Sequence, residues 1–405
     1  MFLHRSSFRG TDFGALVTPI AEELGFRTLV VDDLPTGDAR PRCRPHPWTR
    51  RSVRSAACCT TSGSTADPKG VWHSERNDGG WGAFVDAMRP DSNDVYPIVF
   101  PVAHIGGIGM TTAALRGPYR QIIVEAWDPQ RTPLLAAERS ATLLGTASPS
   151  SAFMGAQLAH GDRPLYPRCV RACRAVRRSP GRRGTKVRRV LGGVGVLGGW
   201  GLTEFPGATS AGPYDPEEMM AVTEGRLGPG TEMKVVAGDG SECGEGEEGE
   251  LRVRGPQKFL GCANSALDAD TFDDEGYVRT GDLGVVQPGG YVQITGRLKD
   301  IIIRNAENIS ATEIEDCLFL HPAIADVAVI GVPDPRTVER AVAVVQLAPG
   351  ITEFTLADIA QHCLDHGLAK WKIPEQLEIL DAIPRNGMGK IEKPALRKRY
   401  GGAGS

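Results

Sequence analysis

Two nearby stretches decide how this chain is read: Tyr277-Val278-Arg279-Thr280-Gly281-Asp282-Leu283 and Gly296-Arg297-Leu298-Lys299-Asp300-Ile301-Ile302-Ile303-Arg304. The rhythm of the sequence changes across them. Upstream, Met233-Lys234-Val235-Val236 and Glu250-Leu251-Arg252-Val253-Arg254 alternate with period two, the pattern of half-buried antiparallel strands, around an acidic, Gly-rich turn at 237–249. Downstream, Ile301-Ile302-Ile303 reads as a short strand. Ser310-Ala311-Thr312-Glu313 resembles a capping box opening a helix through Leu320. Residues 325–331 and 341–347 are apolar strands, 356–366 is a helix with Thr355 as its cap, and Glu378-Ile379-Leu380 is a last strand. That β-α-β-β-α-β order makes a small unit of roughly 100 residues. The boundary is expected between Arg297 and Lys299, dividing the chain into a large domain, 1–297, and a small C-terminal α+β domain, 298–405.

Toward the N-terminus the chain reads as alternating α/β. Residues 28–31, 96–100 and 121–124 look like strands, and residues 13–24 like a helix. With 405 residues, 41% hydrophobic and 23% charged, a disordered chain is excluded. A net charge of −3 gives no reason to expect a nucleic-acid partner. No apolar run reaches the ~18 residues of a membrane span. The opening residues hold no apolar signal core, so the cytoplasm is the expected compartment. Nine scattered cysteines form no disulfide framework and fit a reduced environment; Cys169 and Cys173 lack a second ligand pair for zinc. Two stretches, 40–66 and 163–189, contain no acidic residue, and the second holds ten arginines. Neither shows helix or strand periodicity. Each is either a basic binding arm or a segment translated out of frame, because GC-rich codons read in the wrong frame give Arg, Pro, Gly and Ala.

Three further motifs, and Asp282 of the first stretch, bear chemistry. Thr61-Ser62-Gly63-Ser64-Thr65-Ala66-Asp67-Pro68-Lys69-Gly70 offers hydroxyls and backbone N–H groups able to wrap phosphate oxygens, with Lys69 as a nearby point charge. It is not the kinase and ATPase P-loop, since Pro68 precedes the lysine and Gly70 follows it; the alternative is a polar surface turn. In Gly199-Trp200-Gly201-Leu202-Thr203-Glu204 a ring between glycines can lie against a base and Glu204 can ligate Mg²⁺; the alternative is a turn with a core Trp. Asp282, fixed after a tight turn, can accept both hydroxyls of a ribose, or be a plain turn residue. Pro384-Arg385-Asn386-Gly387-Met388-Gly389-Lys390-Ile391 sets a lysine on a Gly-flanked loop that can swing into a site, or simply face solvent.

Taken in order, these motifs resemble the adenylate-forming superfamily, and most closely its acyl-CoA ligases. The resemblance covers roughly residues 8–39, 58–160 and 190–400. It implies an α/β fold with a large adenylate-forming domain of mixed sheets and helices plus the small C-terminal domain. It implies ATP-dependent ligation of a small carboxylic acid to coenzyme A with Mg²⁺, through an acyl-adenylate. On that resemblance Ser62, Gly63, Ser64, Thr65 and Lys69 hold the β- and γ-phosphates, and Trp200 packs on adenine. Thr203 and Glu204 sit at the α-phosphate and Mg²⁺, and Asp282 and Arg297 bind the ribose. Lys390 bridges the carboxylate and α-phosphate, and Lys299 is the hinge about which the small domain turns. His104 aligns with a position lining the acyl channel, or is a buried histidine with one hydrogen bond. The chain departs from the family pattern in four ways. It begins well inside the large domain, it lacks the Gly-Gly-Ala-Pro-like adenine turn near 174–183, and Asn305-Ala306 replace two glycines. Thr60 replaces an aromatic residue. A second reading is therefore an inactive, truncated or frame-damaged remnant. A third, weaker one is a basic nucleic-acid binder using residues 171–189.

Overall fold

The structure, a computed structural model, describes residues 2–4, 7–8, 11–12, 15, 28–30, 57–60, 69–74, 85–99, 104–113, 117, 119–124, 127–144, 150–168, 171–173, 182–193, 196–305, 307–386 and 390–401. The chain divides into two compact units, Met1–Ser52 and Val53–Ser405. In the first, Phe2–His4 pairs in parallel with Thr28–Val30, the strand expected there, and Ser7–Phe8 pairs antiparallel with Thr11–Asp12. Apart from Ala15, the helix expected over 13–24 lies outside the described residues, as does most of the first acid-free stretch.

In the second unit, parallel strands come with helical crossovers, as parallel pairing requires. Val95–Ile98 pairs with Arg120–Ile123 across the helix Ile105–Ala113. Leu143–Leu144, Arg171–Cys173 and Val196–Leu197 form a second parallel set, with helices Ser150–His160 and Arg182–Leu191 between them. The latter elements correct the reading of residues 163–189 as aperiodic. Val187 and Leu191, one helical turn apart, are buried, while Arg188 reaches Glu217 at 2.8 Å. The arginine run hides two core positions.

The period-two stretches form part of a seven-stranded antiparallel sheet. Its order is Gly199–Leu202, Phe205–Ser210, Arg226–Leu227, Tyr291–Arg297, Val278–Gln287, Gly249–Arg254 and Glu232–Val236. Gly249–Arg254 buries alternate residues, Leu251 and Val253 completely, as its pattern predicts.

From Ile301 a separate five-stranded sheet begins. Ile324–Asp334 and Val338–Leu347 form a long antiparallel hairpin, and Gln376–Ile379 adds in parallel. Both faces are covered, so these strands read as continuous apolar runs. Val327, Val329, Ala341, Ala343 and Val345 pack with residues of helices Ala311–Leu318 and Leu356–Asp365. The alternating set Ala328, Ile330, Val332, Val342 and Val344 packs with Leu396 of helix Lys393–Tyr400. That helix and the strand Glu307–Ser310 add to the expected six elements. The helix after Ser310 ends at Leu318, two residues early. Ser310 Oγ does accept from Glu313 N, at 3.4 Å, but the Glu313 carboxylate is held by Lys372 Nζ at 2.7 and 2.8 Å. The reciprocal capping box belongs instead to Thr355 and Asp358.

Candidate active site

The site is built at a hairpin tip. Leu202 pairs with Phe205, leaving Thr203 and Glu204 as the two turn residues. Gly201 makes the close approach possible: a Cβ there would stand 2.6 Å from the backbone nitrogen of Gly207. The Glu204 carbonyl accepts from Phe259 N at 2.9 Å, which fixes the tip. Burial pushes the Glu204 carboxyl above its ordinary range, opposed by the charges of Lys69, Arg297 and Lys390. The charges of these three residues, from three distant parts of the chain, all act on this one carboxylate. Mg²⁺ takes one or two carboxylates and completes its shell with water and substrate phosphates. A single carboxylate set among cations able to hold phosphate fits that ion.

Asp282 and Arg297 are direct partners across the antiparallel pair Val278–Gln287 and Tyr291–Arg297. Register alone brings the carboxylate to the guanidinium. Arg297 Nε donates to Asp282 Oδ1, and its NH2 lies 3.4 Å from Oδ2. The buried Trp200 donates from Nε1 to Asp282 Oδ2 at 2.9 Å. The tight turn expected before Asp282 is not found: Gly281, with φ +67°, lies within the strand Val278–Gln287 where its register against Gly249–Arg254 shifts, and Asp282 N donates to Thr280 Oγ1 at 3.1 Å. Asp282 raises the pKa of Arg297, keeping it firmly charged.

His104 sits at the start of helix Ile105–Ala113, where Nδ1 accepts from Gly106 N at 3.0 Å. Burial, and then the charge of Lys390, lower its pKa to about 4. Lys390 is exposed, and its N–H donates to Asn386 Oδ1 at 3.0 Å. The structure thus brings Lys69, His104, Thr203, Glu204, Arg297 and Lys390 into one electrostatic neighbourhood, with Trp200 and Asp282 attached through Arg297. Ser62, Gly63, Ser64 and Thr65 lie outside the described residues. Lys299 is exposed two residues after Arg297, and its carbonyl accepts from Arg397 NH2 at 3.2 Å. Asn305 adopts φ +50°, a left-handed conformation that asparagine tolerates better than most residues, where the family pattern has glycine.

Two contributors were not singled out from sequence. His73 is buried four residues after Lys69, and neither ring nitrogen has a hydrogen-bond partner of good geometry among the described residues. Burial lowers its pKa, partly offset by a hydrogen bond with the backbone of Thr203 at the hairpin tip. A histidine at the buried phase of the Gly70–His73 strand was the available signal. Buried Lys393 pairs with Glu315 at 2.8 Å and lies 3.5 Å from Asp300, which also accepts from Arg397 at 3.1 Å. The segment around Lys299 is thereby tied to the C-terminal helix.

This fold is that of the adenylate-forming class, and the chain belongs to the AMP-binding enzyme family. The family model matches residues 22–262, and that of the AMP-binding enzyme C-terminal domain matches 313–390. Its relatives include the medium-chain fatty-acid–CoA ligase of Escherichia coli (strain K12), 31% identical over 85% of this chain and 61% of that protein. The salicyl-AMP ligase/salicyl-S-ArCP synthetase of Mycobacterium tuberculosis is 33% identical over 77% of this chain and 55% of its own length. The chain therefore spans less than two thirds of these relatives. Among solved structures, ATP-bound MatB from Rhodopseudomonas palustris superposes with a TM-score of 0.81 at 26% identity, covering 99% of this chain and 79% of that one. The expected α/β adenylate-forming architecture is thus the one found. Among the described residues, no helix is long and apolar enough to cross a membrane.

Proposed function

We propose that this chain is an ATP-dependent carboxylic acid–CoA ligase. In the first step a carboxylate oxygen attacks the α-phosphorus of ATP and pyrophosphate leaves, giving an acyl-adenylate. In the second, the coenzyme A thiolate attacks the acyl carbon and AMP leaves, giving a thioester. The observation that supports this best is the convergence of Lys69, Arg297 and Lys390 on Glu204 at the hairpin tip. Three positive charges suit a triphosphate whose negative charge shifts as the α-β bond breaks.

In this reading Ser62, Gly63, Ser64, Thr65 and Lys69 hold the β- and γ-phosphates, and Thr203 and Glu204 lie at the α-phosphate. Mg²⁺, when bound by Glu204, supplies charge neutralisation across the phosphate oxygens. Asp282, oriented by Arg297 and Trp200, receives the ribose hydroxyls, and Trp200 packs toward adenine. Lys390 bridges the incoming carboxylate and the α-phosphate, with His104 at the mouth of the acyl channel. The neutral state of His104 beside Lys390 avoids a second cation where an anionic substrate must bind one lysine. Residues 1–297 and 298–405 act as large and small domains with Lys299 as the hinge, and Asp300 is the anchor that holds the hinge to the C-terminal helix. The reaction needs no membrane segment and is placed in the cytoplasm, and the near-neutral chain has no nucleic-acid partner in this scheme.

The test is pyrophosphate release with a panel of aliphatic, alicyclic and aryl acids. Release dependent on one class of acid is expected, and Lys390→Ala should lower it by about 10²–10³-fold. The same variant should still make thioester from preformed acyl-adenylate and coenzyme A. A folded chain whose thermal transition ATP does not raise, and which releases no pyrophosphate with any acid, would overturn the proposal.

A further inference from the structure

We propose that Cys317, His362 and His366 form a binding site for a divalent transition-metal ion of the Zn²⁺ class, separate from the nucleotide site. The site lies where helices Ala311–Leu318 and Leu356–Asp365 pack on one another, with Ile314, Leu318, Ile359 and Cys363 in a shared core. Cys317 and His321 are spaced i, i+4, and so are His362 and His366, so each chain segment presents two metal-binding residue types one turn apart. Three of the eight histidines gather at this one place.

One ligating atom from each of Cys317, His362 and His366 lies within 4.8 Å of the others. The His362 and His366 rings are 4.0 Å apart, and His321 stands 4.8 Å from His362 as a wall of the site. Zn–S and Zn–N bonds in a tetrahedral shell set ligand atoms roughly 3.5 Å apart, so closure asks for about 1 Å of movement. His366 is exposed and leaves a way in from solvent, and a shift of the Cys317 side chain toward the two carbonyl-held rings can supply that movement.

The rings are held as ligating histidines are held. His362 Nε2 lies 3.0 Å from the carbonyl oxygen of Cys317, and His366 Nδ1 lies 2.8 Å from that of His362. A carbonyl oxygen only accepts, so both of these ring nitrogens carry hydrogen. In each neutral ring the other nitrogen then bears the lone pair a metal needs, with orientation fixed by the backbone behind it. Cys363 shares a hydrogen bond with the Cys317 sulfur, a contact of the kind that steadies a metal-bound thiolate. One thiolate with two imidazoles selects a borderline-soft ion over Mg²⁺, and a water completes four ligands. Bound there, the ion pins the two helices together.

The experiment titrates metal-stripped full chain with Co²⁺, read by absorption, and then adds Zn²⁺. One equivalent of Co²⁺ with a sulfur-to-metal charge-transfer band, displaced by Zn²⁺, is expected. Cys317→Ser should abolish the band, and His366→Ala should weaken binding by at least about tenfold. Cys243→Ser, a thiol on a different element, should change neither. If Cys317→Ser fails to fold, the His366→Ala variant, altered at an exposed position, decides the matter. Absence of stoichiometric Co²⁺ binding by the folded wild type overturns the proposal, and so does binding that His366→Ala leaves unchanged.

Discussion

His104 gives a prediction in which sign and size both follow from the structure. Its pKa is lowered to about 4, first by burial and then by the charge of Lys390. Its Nδ1 accepts from Gly106 N, a bond that protonation at that nitrogen removes. Above about pH 7.5 the ring is essentially neutral in both the folded and the unfolded chain and contributes almost no pH dependence. As pH falls, the unfolded chain takes up its proton near 6.5 and the folded chain only near 4. The unfolded state therefore binds more protons, and stability is lost across that window: roughly 2 kcal/mol by about pH 5 and about 3 kcal/mol by about pH 4. Asparagine does not titrate and keeps an acceptor at the helix start, so His104→Asn isolates the effect. Urea midpoints are measured for both proteins at about pH 7 and about pH 5. Carboxylates titrate in both proteins and cancel in the difference. The wild type should lose about 2 kcal/mol more than the variant between the two pH values. Losses that agree within about 0.5 kcal/mol would refute the reasoning. Lys390→Ala supplies a second arm: removing the smaller cause should narrow the window, while burial, the larger one, keeps it open.

Two other substitutions probe the site and its anchor. Asp282→Asn keeps shape but weakens a charge-assisted pair with Arg297, so the KM for ATP should rise by about ten- to a hundredfold at a preserved thermal transition; a fall in kcat at unchanged KM would remove Asp282 from ribose binding. Lys393→Met leaves Glu315 and Asp300 without their buried cation. Asp300 keeps Arg397, and Glu315 keeps the Val329 N–H at 2.8 Å, so the cost should fall at the lower end of a broken buried pair, about 3 kcal/mol in urea unfolding; an unshifted midpoint would show that the pair contributes nothing.

Local signals explain what was legible in the sequence. Period-two alternation at 250–254 and the cap at Thr355 depend only on neighbours a few residues away, and the structure bears them out; 233–236 is a strand as expected, but Val235 and Val236 are both buried. Val187 and Leu191 were not legible, because eight arginines between 163 and 183 set the local composition, and burial against distant helices outweighs it. The site itself depends on pairings the sequence does not order. Trp200 is 82 positions from Asp282, and only the seven-stranded sheet brings them together.

That pairing limits what the Asp282 carboxylate, the proposed ribose acceptor, can do. An ionised carboxylate offers about four acceptor sites. Arg297 Nε takes one on Oδ1, Trp200 Nε1 takes one on Oδ2, and the Arg297 NH2 contact at 3.4 Å to Oδ2 is the weakest of the three. A ribose brings two hydroxyl donors. One can use the open site on Oδ1 and the other must displace the long guanidinium contact, because the indole bond is short and buried. In the proposed scheme, ribose binding by Asp282 would therefore loosen one N–H of Arg297, whose charge also acts on Glu204. On that proposal the carboxylate that receives the sugar would also turn one guanidinium N–H away from itself, while Nε stays on Oδ1.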